Sequence, residues 1–182
     1  MAGIEAIATT YVEDPVGSVT FSSIPQTYEH LQIRVSARSD NNGGGGHQVY
    51  VRFNGVQTTH YSSSRFYSYT WEGSYSHSAD RYAGQSYVYA GGRIPEGNMD
   101  NVDFGMTIME IIDYTNPYKR SGLVQYSGVV PGYNNGAGDS GSHVQFGGAF
   151  LDFNTAVTSV QLYPPSDNWS RGTCMSLYGM ND

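Results

Sequence analysis

Apolar and polar residues alternate with a two-residue period along much of this chain. Such alternation places every second side chain on one face of a β-strand, and an apolar face is the one that becomes buried. The predicted inward positions are Leu31, Ile33 and Val35 in one segment and Val49, Val51 and Phe53 in another. Asn54-Gly55 follows the second segment directly and predicts a tight turn.

The longest predicted strand lies within residues 101–114. The expected inward side chains there are Val102, Phe104, Met106 and Ile108, which share one face. Glu110 would interrupt that face, so a bulge or a change of burial is predicted at 109–112. Further strands are predicted at 8–12, 16–21, 86–90, 120–130, 143–151, 157–163 and 173–178.

Dense turn-forming sequence separates these segments. Residues 40–46 predict a flexible loop between two paired strands, and residues 131–142 and 163–170 predict two further loops. About ten short strands and no helical pattern indicate an all-β fold, an antiparallel β-sandwich of jelly-roll type. Residues 1–182 are expected to form a single domain with a short N-terminal lead, because no linker or repeat divides them.

The segment between His60 and Gly92 has seven tyrosines, eight serines, one tryptophan, one phenylalanine and no lysine. That composition is typical of a recognition loop, in which aromatic rings supply contact area and small polar residues adapt around them. We therefore predict that it contacts a partner or a glycan. The predicted contact residues are Tyr61, Tyr67, Tyr69, Trp71, Tyr75, Tyr82 and Tyr87. The alternative is that Tyr67, Tyr69 and Trp71 form one face of a strand and only pack a sheet.

Charge and cysteine content narrow the possible partners. A net charge of −7 argues against a nucleic-acid surface, which needs clustered cations. Eight of the nine cations are arginines, which suit interfaces better than lysine does. Cys174 is the only cysteine, so an internal disulfide is excluded. With no signal peptide and no membrane-spanning run in the sequence, we expect a soluble protein without membrane insertion.

The sharpest enzymatic motif is GDSG at 138–141, which resembles the nucleophile segment of chymotrypsin-like proteases. That chemistry also needs a histidine base, a buried carboxylate and an oxyanion hole. Here Ser142-His143 follows the motif, and no histidine lies in the expected small-residue context. We predict a polar loop around Ser140 and no enzymatic activity. A small hydrolase that uses this motif is the minor alternative.

Metal and sugar-cleaving sites are equally weak in the sequence. Asp40, Asn42 and Gly44 begin like a calcium loop, but Val51 replaces the acidic residue that should close it. The five histidines show no metal-binding spacing. Glu110 and Asp113 would face opposite sides of a strand and could not act together on a glycoside. No metal or cofactor is predicted, although a calcium ion held between loops stays open.

Four blocks of sequence carry a family resemblance. They are SIPQTYEHLQIRVSARSD (23–40), VYVRFNG (49–55) with Tyr61-Ser62 shortly after, NVDFGMTIMEIIDYTNPYKRSG (101–122) and AVTSVQLYPPSDNWSRGTCMSLYGM (156–180). As an ordered set they resemble small virion structural proteins of tailed bacteriophages. The resemblance implies a jelly-roll-like domain displayed on the head or tail of the particle, with no catalytic residues. The Tyr/Ser stretch and the run Gly43–Gly46 depart from that pattern.

Composition and resemblance together predict a non-enzymatic virion protein, made in the host cytoplasm and displayed on the particle surface. The first hypothesis is a capsid decoration or cement protein that binds the major capsid protein, or other virion proteins, and stabilises the lattice. By analogy with other virion jelly rolls we expect a homotrimer. The alternative is a receptor- or glycan-binding module of a tail or head fibre, in which aromatics of 60–92 stack on sugars of the host surface.

Overall fold

The computed structural model of the chain describes residues 3–42, 47–71, 74–97, 104–117, 124–134, 140–152 and 154–181. These residues form strands, turns and loops, and none of them is helical. The twelve strands are β1 (Gly3–Tyr11), β2 (Val19–Phe21), β3 (His30–Ala37), β4 (His47–Phe53), β5 (Tyr61–Trp71), β6 (Ser74–Gln85), β7 (Val88–Ile94), β8 (Gly105–Ile111), β9 (Val124–Asn134), β10 (Ser140–Leu151), β11 (Val160–Tyr163) and β12 (Cys174–Asn181). The described residues therefore contain no helix that could span a membrane.

The strands form two antiparallel sheets, which confirms the predicted β-sandwich. The large sheet has the order β1-β12-β3-β8-β9-β10-β5-β6, and the small sheet has the order β2-β11-β4-β7. If β5, β6, β9 and β10 are set aside, successive strands alternate between two four-stranded sheets, except that β4 and β7 are neighbours in the small sheet. The remaining orders, β1-β12-β3-β8 and β2-β11-β4-β7, are those of a jelly roll.

The four other strands are two insertions that meet in space. The hairpin β5–β6 is inserted between β4 and β7, and the hairpin β9–β10 is inserted between β8 and β11. Residues 61–69 of β5 pair with residues 143–151 of β10, so the insertions extend the large sheet beyond β8. We call this four-stranded extension the wing. Strand β7, at the edge of the small sheet, packs against β8, β9 and β10.

The jelly-roll core follows the alternation of the sequence. All six inward positions predicted in the segments that form β3 and β4 are buried. Trp169, fully buried, donates a hydrogen bond from Nε1 to the carbonyl of Leu162 at 3.2 Å. The turn predicted at Asn54-Gly55 is confirmed, since both residues have positive φ (52° and 67°). The N–H of Val56 closes it onto the carbonyl of Phe53 at 2.9 Å.

The burial predicted for the longest strand is wrong. Met106 and Ile108 are 61% and 43% exposed, whereas the next residues along the strand, Thr107 and Met109, are buried. The cause is register, because Met109 pairs with the buried Ile33 of β3 and opposite residues share a face. The β3–β8 register is continuous, so the change at 109–112 is the end of the strand at Ile111. Phe104 is half-buried before β8, and Val102 lies outside the described residues.

Three loop predictions are also corrected. Residues 60–92 are mostly sheet, because they form β5, β6 and most of β7, and this accounts for twelve strands instead of about ten. The segment 131–142 contains the end of β9 and the start of β10, and 135–139 lie outside the described residues. The segment 40–46 joins β3 and β4, which belong to different sheets and do not pair with each other. Only the loop at 163–170 matches its prediction, between β11 and β12.

Candidate functional site

The wing presents two chemically different faces. Alternate residues of β5 and β10 point toward the small sheet or away from it, and we call these the inner and the outer face. Along β5, Ser63 and Arg65 are buried on the inner face, while Phe66 is exposed on the outer face. A partner that meets the outer face therefore meets different residues from those that hold the wing to the jelly roll.

The outer face exposes a pair of phenylalanines. Phe66 of β5 and Phe146 of β10 lie directly opposite each other, with ring centroids 5.4 Å apart and planes inclined by 22°. They are 56% and 60% exposed. Their exposure is unusual for paired rings, because each keeps more than half of an apolar surface in contact with water.

Further apolar side chains extend this pair across the sheet. Val144 is 48% exposed on β10, and Met106 and Ile108 are exposed on β8. Strand β9 lies between β8 and β10, with Val129 at the register position opposite both Met106 and Val144. We define the apolar patch by five side chains: Phe66, Met106, Ile108, Val144 and Phe146. Their summed exposed area is on the order of 500 Å².

The sequence did not reveal this patch. In β10 the apolar Val144 and Phe146 alternate with His143 and Gln145, and the usual rule would bury the apolar pair. The structure buries His143 and Gln145 instead. Inverted alternation of this kind is itself an indication of a contact face, but only once the register with β5 fixes which side faces inward.

The inner face of the wing is organised around Arg65, which is only 8% exposed. Its Nε and Nη2 donate to Oδ2 of Asp80 at 3.0 and 2.6 Å, and Nη2 also donates to the hydroxyl of Tyr82 at 2.9 Å. Nη1 lies 3.4 Å from Oε1 of Gln145. The hydrogen bonds from Arg65 hold the pKa of Asp80 below its ordinary value. One guanidinium thus connects β5, β6 and β10.

Aromatic rings surround the same guanidinium. Its central carbon lies 5.0, 5.3 and 5.6 Å from the ring centroids of Tyr67, Tyr82 and Tyr89. Tyr82 of β6 stacks on Tyr89 of β7 with centroids 3.9 Å apart. These contacts attach the wing to the small sheet through cation–π and stacking interactions.

The stacking continues into the small sheet as a tyrosine cluster, defined as Tyr50, Tyr82, Tyr87, Tyr89 and Tyr163. Tyr50 stacks on Tyr87 with centroids 4.1 Å apart and meets Tyr163 edge-on at 5.6 Å. Burial raises the pKa of Tyr163 to about 12. Burial is also the main cause that raises the pKa values of Tyr50, Tyr82 and Tyr87. The fold therefore favours the neutral phenols.

The predicted contact residues separate into groups. The prediction for Tyr61 is wrong, because this side chain is fully buried and its hydroxyl lies 3.1 Å from the carbonyl of Val56. Tyr82 and Tyr87 are half-buried in the tyrosine cluster, where their rings pack against other rings of the fold. Tyr75 is 85% exposed, so it is available to a partner.

Tyr67 and Tyr69 lie at the open end of the inner face. Tyr67 is half-buried and Tyr69 is 36% exposed. Their rings and that of His143 are nearly parallel, with centroids 5.6 to 6.4 Å apart. A contact role for Tyr67, Tyr69 and Tyr75 stays a prediction, and the side chain of Trp71 lies outside the described residues.

A shallow cavity of about 380 Å³ lies on the wing beside the apolar patch. Its lining includes Ser62, Ser64, Arg81, Gly148 and Phe150. Gly148 of β10 lies opposite Ser64 of β5, so small residues form the floor of the cavity. Arg81 of β6 follows in the same row, opposite Ser64. Among the arginines whose side chains the structure describes, Arg81 alone makes no hydrogen bond, ion pair or ring contact.

The positions weighed for metal binding and catalysis have other roles or lie outside the described residues. The carboxylate of Asp40 accepts hydrogen bonds from Asn168 N and Nδ2 at 2.8 and 3.0 Å. No group of three His, Cys, Asp or Glu side chains is placed to bind a metal ion in the described part of the chain. Ser140 begins β10, while Gly44, Gly138 and Asp139 lie outside that part.

Comparison with known proteins yields no match: no protein-family model, no curated protein and no solved structure is similar to this chain. Its function is therefore inferred from the chemistry of the two faces of the wing.

Replacement of Arg65 by lysine should lower the free energy of unfolding by about 1–2 kcal/mol. A single ammonium group cannot donate to Asp80 and Tyr82 in the same planar geometry while it also packs against three rings. Urea unfolding measures the change. Arg81→Lys is the matched control, since Arg81 is exposed without a partner, and it should stay within about 0.5 kcal/mol of the parent chain. Equal losses in both variants would contradict a central role for Arg65.

Alkaline solution should destabilise the fold through the tyrosine cluster. Because the folded-state pKa values are raised, this stabilisation is complete below about pH 10, the value for an unfolded tyrosine, and is lost as pH rises through the folded values. Unfolding free energies measured between about pH 9 and pH 12 should therefore fall. Tyr163→Phe removes one of these ionisations, so the unfolding free energy of this variant should fall less steeply with pH than that of the parent chain. A parent curve that is flat over this range would refute the idea.

Proposed function

We propose that this chain is a non-enzymatic structural protein of a bacteriophage particle, a capsid decoration or cement protein that binds the major capsid protein lattice. The observation that supports the proposal is the apolar patch, which lies on a sheet face that the fold itself leaves uncovered. The four blocks that resemble virion proteins of tailed phages give the class of partner. On this proposal the protein is located on the particle surface.

The size of the patch suits a protein partner. A standard interface buries about 800 Å² on each side, of which somewhat more than half is apolar. The patch alone supplies on the order of 500 Å² of apolar area, which is the amount such an interface needs. The pair of aromatic rings within it has the character of an interface hot spot.

The composition of the chain agrees with a lattice partner better than with other macromolecules. The net charge of −7 disfavours nucleic acid, and the patch itself contains no charged side chain. A ligand that binds only the assembled lattice stabilises that lattice by mass action. The homotrimer suggested by analogy with other jelly rolls stays a prediction, which the molar mass from light scattering would test.

A glycan-binding module of a phage fibre is the second candidate, and the shallow cavity favours it. Arg81 offers a free guanidinium, which pairs well with a carboxylate. Phe150 offers a ring against which the apolar face of a sugar could stack, and Ser62 offers a hydroxyl. An acidic sugar is the ligand that this combination fits.

The decoration proposal predicts that Phe66→Ser combined with Phe146→Ser weakens binding to capsids by about 100-fold or more, because both aromatic rings of the patch are lost. The variant should still fold, since each ring is more than half exposed. Co-sedimentation with capsids that lack the protein measures binding, and survival of those capsids after heating measures stabilisation.

Tyr11→Ser is the control for this experiment, because Tyr11 is 66% exposed on β1, far from the wing. That variant should bind capsids and protect them from heat like the parent chain. If the double variant binds as tightly as Tyr11→Ser does, the apolar patch is not the docking surface and the proposal fails.

The glycan candidate makes a different prediction. The isolated protein should bind acidic glycans on an array, and Arg81→Ala should abolish that binding because the carboxylate loses its partner. Arg34→Ala is the matched control, since Arg34 is exposed on β3, outside the cavity. No array signal from the parent chain, or equal signals from both variants, would exclude this candidate.

A further inference from the structure

Strand β6 is the outermost strand of the large sheet. It pairs with β5 along one edge, and no described strand covers its other edge. At 12 residues, Ser74–Gln85, it is as long as any strand in the described structure. An uncovered edge of this length presents a row of backbone N–H and C=O groups that can pair with another strand.

Two of the other outer strands have features that limit such pairing. At the opposite edge of the large sheet, β1 has a register shift between Ala6 and Ala8. At one edge of the small sheet, β2 has only three residues. In β6 the register shift falls at the end, beyond Tyr82, so residues 74–82 are regular. This stretch also lacks proline and lysine, the residues that commonly block edge pairing.

We propose that β6 pairs with β6 of a second copy of this chain, antiparallel, with Ser78 opposite its own counterpart. The two sheets then become one continuous sheet across a twofold axis. The inference rests on β6 alone and holds whether or not the protein is part of a virion.

Side chains on the outer face of β6 complement one another in this register. Tyr75 lies opposite Arg81 of the second copy, so an 85% exposed ring meets a guanidinium that has no partner among the described residues of its own chain. Such a pair forms a cation–π contact at each end of the interface. His77 lies opposite Ala79 of the second copy, without steric or charge conflict. On the inner face, Ser76 comes opposite Asp80 and can donate a hydrogen bond to it.

Two registers shifted toward the C-terminal end of β6 are less favourable. A twofold axis at Ala79 would place His77 opposite Arg81 of the second copy, so the contact between Tyr75 and Arg81 would be lost. A twofold axis at Asp80 would place two carboxylates directly opposite each other. Like charges in opposite positions destabilise a strand pair, so the register centred on Ser78 is favoured.

The inferred assembly is a dimer, in place of the trimer expected by analogy. Antiparallel strands of one sheet are related by an axis perpendicular to the sheet. Both outer faces therefore lie on the same side of the continuous sheet, and the dimer carries two apolar patches.

Two double variants with identical positions test the register. His77→Lys with Ala79→Lys places lysine opposite lysine twice in the dimer, whereas His77→Glu with Ala79→Lys places glutamate opposite lysine twice. Sedimentation equilibrium of the purified proteins should show dimers in the parent and in the Glu/Lys variant. The Lys/Lys variant should dimerise at least about ten-fold more weakly than the Glu/Lys variant. Both positions are exposed, so the fold should be retained.

Disulfide cross-linking tests the same contact in a second way. In a Cys174→Ser background, Ser78→Cys should form a covalent dimer under mild oxidation, because its counterpart lies directly opposite. Ser74→Cys is the control and should not form a covalent dimer, since residue 74 lies opposite Tyr82 of the second copy. A parent chain that is monomeric or trimeric at all concentrations overturns the proposal. The proposal is also overturned if the two double variants dimerise with equal affinity, or if Ser74→Cys cross-links and Ser78→Cys does not.

Discussion

The antiparallel pairing of β5 with β10 is the contact on which the architecture of the wing depends. It joins residues 61–69 to residues 143–151, which belong to hairpins that leave the jelly roll at two distant points of the chain. Without it, the hairpin β5–β6 would be an isolated two-stranded ribbon, which is marginally stable in water. The pairing also fixes which side chains face inward, because a shift by one residue would exchange the two faces. The register of this one pairing therefore determines that Arg65 faces inward and that Phe66 and Phe146 face outward.

Much of the jelly roll could be predicted from the sequence because its strands carry a simple pattern. In β3 and β4, apolar residues alternate with polar ones, and only one arrangement buries the apolar set. β8 could not be predicted in the same way. Apolar residues occupy both of its faces, with Met106 and Ile108 on one and Met109 and Ile111 on the other. The choice between the faces is made by pairing with β3, which lies about 75 residues earlier and which local pattern does not reveal.

The Tyr/Ser composition located the hairpin β5–β6 of the wing, but three of the predicted contact residues, Tyr61, Tyr82 and Tyr87, are packed within the fold. Tyrosine favours strands, so a segment rich in it can be sheet as readily as recognition loop. Its amphipathic ring also packs well against an arginine and other rings, which is how Tyr82 and Tyr87 are used. The exposed face holds Phe66 and Phe146 instead. Nothing local to β10 distinguishes that arrangement from an ordinary buried face, because the deciding partner, β5, is contributed by the other insertion.

The two proposed contacts of the wing are geometrically compatible, because one uses the edge of the sheet and the other uses its outer face. Edge pairing through β6 consumes backbone groups of the outermost strand and leaves Phe66 and Phe146 uncovered. A dimer formed in this way carries two apolar patches, and a lattice presents its own sites in repeated copies. When one patch docks, the other is held at a high effective concentration near the next site, so modest single contacts can give strong binding. Sheet twist limits the match, since each added strand rotates the surface by roughly 20–25°. A curved lattice would therefore suit the dimer better than a flat one.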